Sequence, residues 1–147
     1  MSIHREKLKD CRDEIISLYK QAYQKRPQYS EEDISGYFDW IEERTPRDIW
    51  VARQEDKAVG FLADSLKSYI LPDSAEMIEL AVLPVNQRRK IATALIEKSL
   101  DYLKSRGSHR VAVEVGESNI ESLALCRKYG FRPLHKNNKW LELYKEL

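Results

Sequence analysis

The apolar run from Ile78 to Leu83 passes through Pro84 directly into a segment of helical periodicity, and this junction limits the fold more than any other feature. Beyond it, Ile91, Leu95, Ile96, Leu100 and Leu103 recur at helical spacing. They predict a helix over about residues 88–105, with Gly107 placed to end it. A helix starting straight off a buried strand presents unpartnered backbone N–H groups and a partial positive charge. Arg88, Arg89 and Lys90 stand at that start. Cations there oppose the helix dipole, at roughly a few tenths of a kcal/mol each when the side chains splay into solvent. A bound phosphate or pyrophosphate would offset that cost. From charge alone, an anion site and three solvated side chains are equally good readings.

The remaining elements follow from period and punctuation. Leu8, Cys11, Ile15, Leu18 and Ala22 predict an amphipathic helix over about residues 6–24. Ser30 with Asp33 resembles a capping arrangement, and Ile34, Tyr37, Phe38 and Ile41 carry a second helix to about Arg44. Pro46 marks the break before "DIWVARQ", which turns through "EDKA" into "AVGFLADSL" as an antiparallel pair. Pro72 and Asp73 mark a turn before "EMIELAVL". In the second half "HRVAVEV" reads as a buried strand. "SNIESLALCRKYG" reads as a short helix capped by Ser118 or Asn119 and closed by Gly130. "FRPLHK", "NN" and "KWLELYKE" form a final hairpin. The layout is β-α-α-β-β-β-α-β-α-β-β, a mixed α/β (α+β) sheet with helices on both faces. No repeat or linker-like stretch interrupts it, so the expectation is one domain over residues 1–147.

Composition excludes several classes. Lys and Arg number 25 against 24 Asp and Glu, a formal charge of +1, which gives no electrostatic footprint for nucleic acid. No apolar run approaches a membrane span, and the start "MSIHREKLKD" lacks the apolar core of a signal peptide. Cys11 and Cys126 are far apart, and His4, His109 and His135 are scattered, so neither a disulfide scaffold nor a metal site is expected. The default is a reduced, cytoplasmic protein without metal. A homodimer is compatible with this reading.

The segment "ELAVLPVNQRRKIATALIEK" resembles motif A of the GNAT superfamily of N-acetyltransferases, whose turn carries Q/R-x-x-G-x-G/A. Val82 and Pro84 fall on the family's V-x-P. Gln87, Arg88, Arg89, Lys90, Ile91 and Ala92 cover the turn, with Thr93 following. "VAVEVGESN" and "NIESLALCRKYGF" resemble motif B, N-x-x-A-x-x-L-Y-x-K-x-G-F, through Asn119, Ser122, Leu125, Lys128, Gly130 and Phe131. The order of elements matches across nearly the whole chain. The resemblance implies a mostly antiparallel sheet with splayed central strands, acetyl-CoA as cosubstrate, and transfer of acetyl to an amine-bearing acceptor by direct attack in a ternary complex. It places Leu80, Ala81, Val82, the turn residues from Gln87 to Thr93, Asn119 and Ser122 at the cofactor, with a backbone N–H from Leu80 to Val82 as oxyanion donor. Two departures stand out. Lys90 occupies the first motif-A glycine, which a helical local conformation with an outward side chain would accommodate. Cys126 stands where the family usually has tyrosine.

Amine acylation needs a proton acceptor, and Glu76, Glu79 and Glu114 lie on the relevant strands. Glu114 resembles the glutamate of acetyltransferases acting on protein N-termini, and Glu76 that of histone acetyltransferases. Strict alternation would put Glu79 on the opposite strand face from Glu76. For a proton donor, Asn119, Ser122, Cys126 and Tyr129 share one helix stripe. Each carboxylate has a plainer reading as a strand-end charge, and Cys126 as a packing thiol. Tyr29, Tyr37, Phe38, Trp40, Tyr69 and Trp140 supply aromatics for an acceptor pocket or for the core. A small amine, an antibiotic or a peptide N-terminus all remain open as acceptor. A catalytically weak acyl-CoA-binding sensor or interaction module is the alternative, resting on Lys90 and Cys126.

Overall fold

The computed structural model describes residues 1–23, 29–45, 48–87 and 90–147. In chain order the elements are β1 (Ser2–Lys7), α1 (Leu8–Ala22), α2 (Glu31–Arg44), β2 (Asp48–Gln54), β3 (Lys57–Ser65) and β4 (Ala75–Val82). A 3-10 turn (Pro84–Asn86) leads to α3 (Ile91–Ser105), β5 (Arg110–Gly116), α4 (Ile120–Lys128), β6 (Arg132–Asn137) and β7 (Trp140–Glu146). Local chemistry accounts for the boundaries. At α2 the Asp33 amide donates to Ser30 Oγ (3.0 Å) and the Ser30 amide donates to Asp33 Oδ2 (3.3 Å), a complete capping box. Glu55 and Asp56 both take positive φ (49° and 66°), as the two-residue turn between β2 and β3 requires. The final hairpin turns on Asn138 (φ 59°) and Lys139 rather than on the paired asparagines. Gly107 (φ 90°) and Gly130 (φ 85°) follow the ends of α3 and α4.

Two boundaries differ from expectation. The first helix begins at Leu8, because Ser2–Lys7 pairs antiparallel with β2 as an edge strand. Arg53 explains how so polar a segment pairs: its Nε and Nη2 donate to Glu6 at 2.7 and 2.8 Å. The third helix begins at Ile91 rather than residue 88. Pro46 lies outside the described residues.

Among the described residues the strands form a seven-stranded sheet of order β1-β2-β3-β4-β5-β7-β6, antiparallel at each pairing except β4 with β5. Helices cover both faces. Phe61 of β3 meets Phe38 of α2 (ring centroids 6.2 Å), while the neighbouring Gly60 points at Ile91 and Leu95 of α3. Across β1, β2, β3 and α3 a buried Asp64 accepts from Arg5 Nη1 (3.2 Å), Trp50 Nε1 (3.2 Å) and Ser99 Oγ (2.6 Å). A second apolar cluster gathers Leu103, Val111, Val113, Leu123 and Leu143 around β5.

Gly60 sets how closely α3 lies on the sheet. A Cβ there would stand 3.1 Å from Ile91 Cγ2 and 3.3 Å from both Leu95 Cδ1 and the Ala81 carbonyl oxygen. Gly60→Ala is expected to cost about 1–3 kcal/mol by overpacking, measured as a lower urea midpoint at unchanged slope.

Candidate active site

The parallel pairing of β4 with β5 is short. It runs Ala75 with Val111, Glu76 with Ala112 and Met77 with Val113, and stops there. Beyond it β4 stays with β3, up to Val82 opposite Gly60, while β5 stays with β7, up to Gly116 opposite Trp140. A bulge marks the parting: Met77 faces Asp64 and Glu79 faces Ala63, leaving Ile78 as the extra residue. Main-chain groups alternate sides along a strand, and the Leu83 amide turns to β3, donating to the Val59 carbonyl at 2.9 Å. Those of Leu80 and Val82 therefore face the open edge. Two contacts agree: Tyr23 Oη donates to the Leu80 carbonyl (3.0 Å) and Gln87 Nε2 to the Val82 carbonyl (3.1 Å). The Leu80 amide is engaged by the Glu79 carboxylate at 3.2 Å.

A cavity of about 680 Å³ opens on one side of this edge. Leu80, Ala81, Val82, Gln87, Lys90, Ile91, Ala92 and Thr93 line it from β4 and the start of α3, and Asn119 and Ser122 from α4. The expected cofactor residues thus come together. Arg88 and Arg89 lie outside the described residues. Asn119 also caps α4, its Oδ1 accepting from the Ser122 amide at 3.2 Å. Gln21, Ala22 and Tyr23 of the α1 end also line the cavity, and no motif in the sequence points to them. Long-range bonds from Tyr23 to Glu79 and to the Leu80 carbonyl tie that helix end to the edge.

Lys90 does not adopt the helical conformation expected of it. It is the N-cap of α3 with φ 61° and ψ 20°, the left-handed region, and its side chain makes no capping bond. The turn into α3 thus holds Lys90 at a positive φ, the conformation that favours glycine.

A second cavity, of about 640 Å³, lies across the parting. Glu76, Glu79, Glu114 and Cys126 all line it. Glu76 and Glu79 do not take opposite faces. The bulge restores parity, since their β3 partners Ser65 and Ala63 are two residues apart. Glu76 is 5% exposed and satisfied, its Oε1 accepting from Ser68 Oγ (3.0 Å) and the Tyr69 amide (3.0 Å) beside Arg44 Nη2 (3.4 Å). Glu79 accepts from Tyr37 Oη (2.7 Å) and shares the single Tyr23 Oη proton (2.8 Å) with the Leu80 carbonyl. Burial and the Glu79 charge push the Tyr37 phenol well above its ordinary range, so it stays a donor. Glu114 is different. It has no hydrogen-bond or ion-pair partner among the described residues, and burial, then the charges of Glu142 and Glu76, raise its carboxyl above the usual range. The helix stripe of Asn119, Ser122, Cys126 and Tyr129 also lines this cavity. Burial raises the Cys126 thiol to about 11. Tyr129 Oη donates to Glu97 Oε1 on α3 (2.9 Å). Of the aromatics, Tyr29, Tyr37, Trp40 and Trp140 reach this cavity. Phe38 is core, and Tyr69 is exposed and stacks on Arg44, with the guanidinium 3.3 Å from the ring centroid.

A family model described as "Acetyltransferase (GNAT) family" matches residues 11–131, which include both walls of the parting. The chain belongs to the GNAT family. An uncharacterized N-acetyltransferase of Methanocaldococcus jannaschii is 30% identical to this GNAT chain over 145 residues. That alignment covers 95% of the chain but 64% of the relative, so the chain spans under two thirds of that protein's length. Among solved structures, the Pyrococcus horikoshii protein PH1933 superposes with a TM-score of 0.86 at 26% identity, covering 99% of both chains. A PaiA N-acetyltransferase of Thermoplasma acidophilum, solved in complex with coenzyme A, shares the fold, with a TM-score of 0.75 at 21% identity over the full length of both chains.

In this GNAT chain the left-handed Lys90 yields a direct test. Relief of the side-chain clash outweighs the extra chain entropy of glycine, so Lys90→Gly is expected to stabilise the fold by about 0.5–1 kcal/mol. Lys90→Ala keeps the Cβ and brings no such gain. Paired urea titrations of the two variants make the comparison.

Proposed function

We propose that the chain is an acetyl-CoA-dependent N-acetyltransferase acting on a primary amine by direct attack in a ternary complex. The observation that carries this reading is the open β4 edge at the parting, bordered on one side by the start of α3 and on the other by Glu114, a carboxylate without a hydrogen-bond or ion-pair partner among the described residues. The coenzyme A bound in the Thermoplasma acidophilum structure supports the cosubstrate assignment. The unpartnered amides of the first turn of α3 suit a pyrophosphate, with Lys90, Gln87, Asn119 and Ser122 around it. The outward-facing Val82 amide is the better oxyanion donor, because the Leu80 amide already bonds Glu79.

The chemistry then distributes as follows. The neutral amine attacks the thioester carbonyl carbon, the C–N bond forms, and collapse of the oxyanion breaks the C–S bond. Glu114 accepts the proton that the attacking nitrogen sheds. Glu76 is tied to Arg44, Ser68 and Tyr69, and Glu79 shapes the acceptor cavity through its two tyrosines. Cys126, whose thiol stays protonated at neutral pH, donates a hydrogen bond to the departing sulfur. A thiolate leaves readily, so this contribution is small. The cavity favours a cationic acceptor: Asp33, Glu76, Glu79 and Glu114 line it, and among the described residues no Lys or Arg does.

Free-thiol release from acetyl-CoA across a panel of primary amines tests the reaction. Release with none of them, beside stabilisation by acetyl-CoA, would favour the binding-module reading that Lys90 and Cys126 suggest. Acetyl-CoA is expected to raise the melting temperature more than ATP does at equal concentration. Glu114→Gln is expected to lower kcat by about 10²–10⁴-fold, and Cys126→Ala by less than about tenfold. Because the Glu114 carboxyl is raised and must be ionised to work, kcat/KM falls as pH drops through that raised value. Glu114→Gln removes this limb.

A further inference from the structure

Carboxylates on this sheet are paired with cations at several positions: Glu6 with Arg53, Asp64 with Arg5, and Glu76 with Arg44. Glu114 and Glu142 depart from that pattern. They are direct cross-strand partners in the β5–β7 ladder, so their side chains share one face of the sheet. Cβ atoms of such partners stand about 4.5–5.5 Å apart, and like charges there are destabilising. Neither carboxylate has a hydrogen-bond or ion-pair partner among the described residues. The fold therefore keeps an unrelieved repulsion beside the cavity that Glu114 lines.

The other groups around Glu114 do not cancel it. From β4 come Glu76 and Glu79, from α2 Asp33 and Tyr37, and from α4 Cys126 and Tyr129. Tyr19 and Tyr23 of α1 line the same cavity. On the far side of Glu142, β6 places the exposed His135 opposite it. A carboxylate so surrounded holds a proton more strongly, and a base works best when its proton affinity approaches the operating pH.

We propose that Glu142 is a positioning residue for acetyl transfer: its charge, fixed directly across the β5–β7 ladder, makes Glu114 a stronger proton acceptor. The proposal rests on the reading of Glu114 as the base. It assigns Glu142 no contact with either substrate. Its effect travels through Glu114 alone.

Carboxyl carbon-13 titration of the full chain tests it without turnover, the Glu114 signal being assigned by its loss in Glu114→Gln. The Glu114 midpoint is expected to fall from wild type to Glu142→Gln and further in Glu142→Lys, with the spread narrowing at high salt. The acidic limb of kcat/KM follows the same order, while KM for acetyl-CoA stays unchanged. Both substitutions relieve a repulsion outside the core, so folding is preserved. An unchanged Glu114 midpoint in Glu142→Gln overturns the role of Glu142. A shifted midpoint with an unmoved kinetic limb overturns the base assignment beneath it.

Discussion

The site depends on a failure of pairing. Two parallel strands that stayed together would have satisfied each other's main chains and left nothing for a ligand. Here β4 and β5 part after Met77, and the bulge at Ile78 supplies the bend. An open strand edge inside a sheet is costly unless something else meets its polar groups. The chain meets several of them locally: Tyr23 takes the Leu80 carbonyl, Gln87 the Val82 carbonyl and Glu79 the Leu80 amide. The rest of the architecture frames that opening. α1 closes it through Tyr23, α3 starts at its foot, and α4 forms the opposite wall.

Much of this was legible in the residues themselves. The capping box at Ser30, the turn at Glu55 and Asp56, the glycines after α3 and α4, and the Asn119 cap are local features that their own neighbours determine. What was hidden depends on partners distant in sequence. The leading strand stands in the expected order of elements, but its end does not: the polar Glu6 and Lys7 read as the start of the helix, and Arg53 on β2 holds them in the strand. The bulge at Ile78 has no signature in an unbroken apolar run, yet it brings Glu79 to the face of Glu76. The positive φ of Lys90 was equally invisible, since lysine is a poor marker of that conformation.

The same contrast separates the three glutamates. By residue type they are equivalent, each a glutamate on a strand beside the parting, and tertiary contacts divide them. Arg44 reaches Glu76 from the end of α2, and the β3–β4 loop folds Ser68 and Tyr69 onto the same carboxylate oxygen. Tyr23 and Tyr37 arrive at Glu79 from two helices. Among the described residues Glu114 has no such partner, and burial, then the charges of Glu142 and Glu76, act on it. Proton affinity here follows from neighbours, so a motif can nominate a carboxylate but cannot rank it.

Tyr23, Leu80, Asn119, Ser122 and Leu125 line both cavities. This party wall couples the shapes of the two compartments. A substitution on it alters both compartments at once, so a gain on one side is paid on the other. Trp40 and Trp140 touch only the second cavity and are free of that constraint. Reshaping the second cavity at those outer aromatics leaves the lining of the first intact, while any change in the shared wall reshapes both.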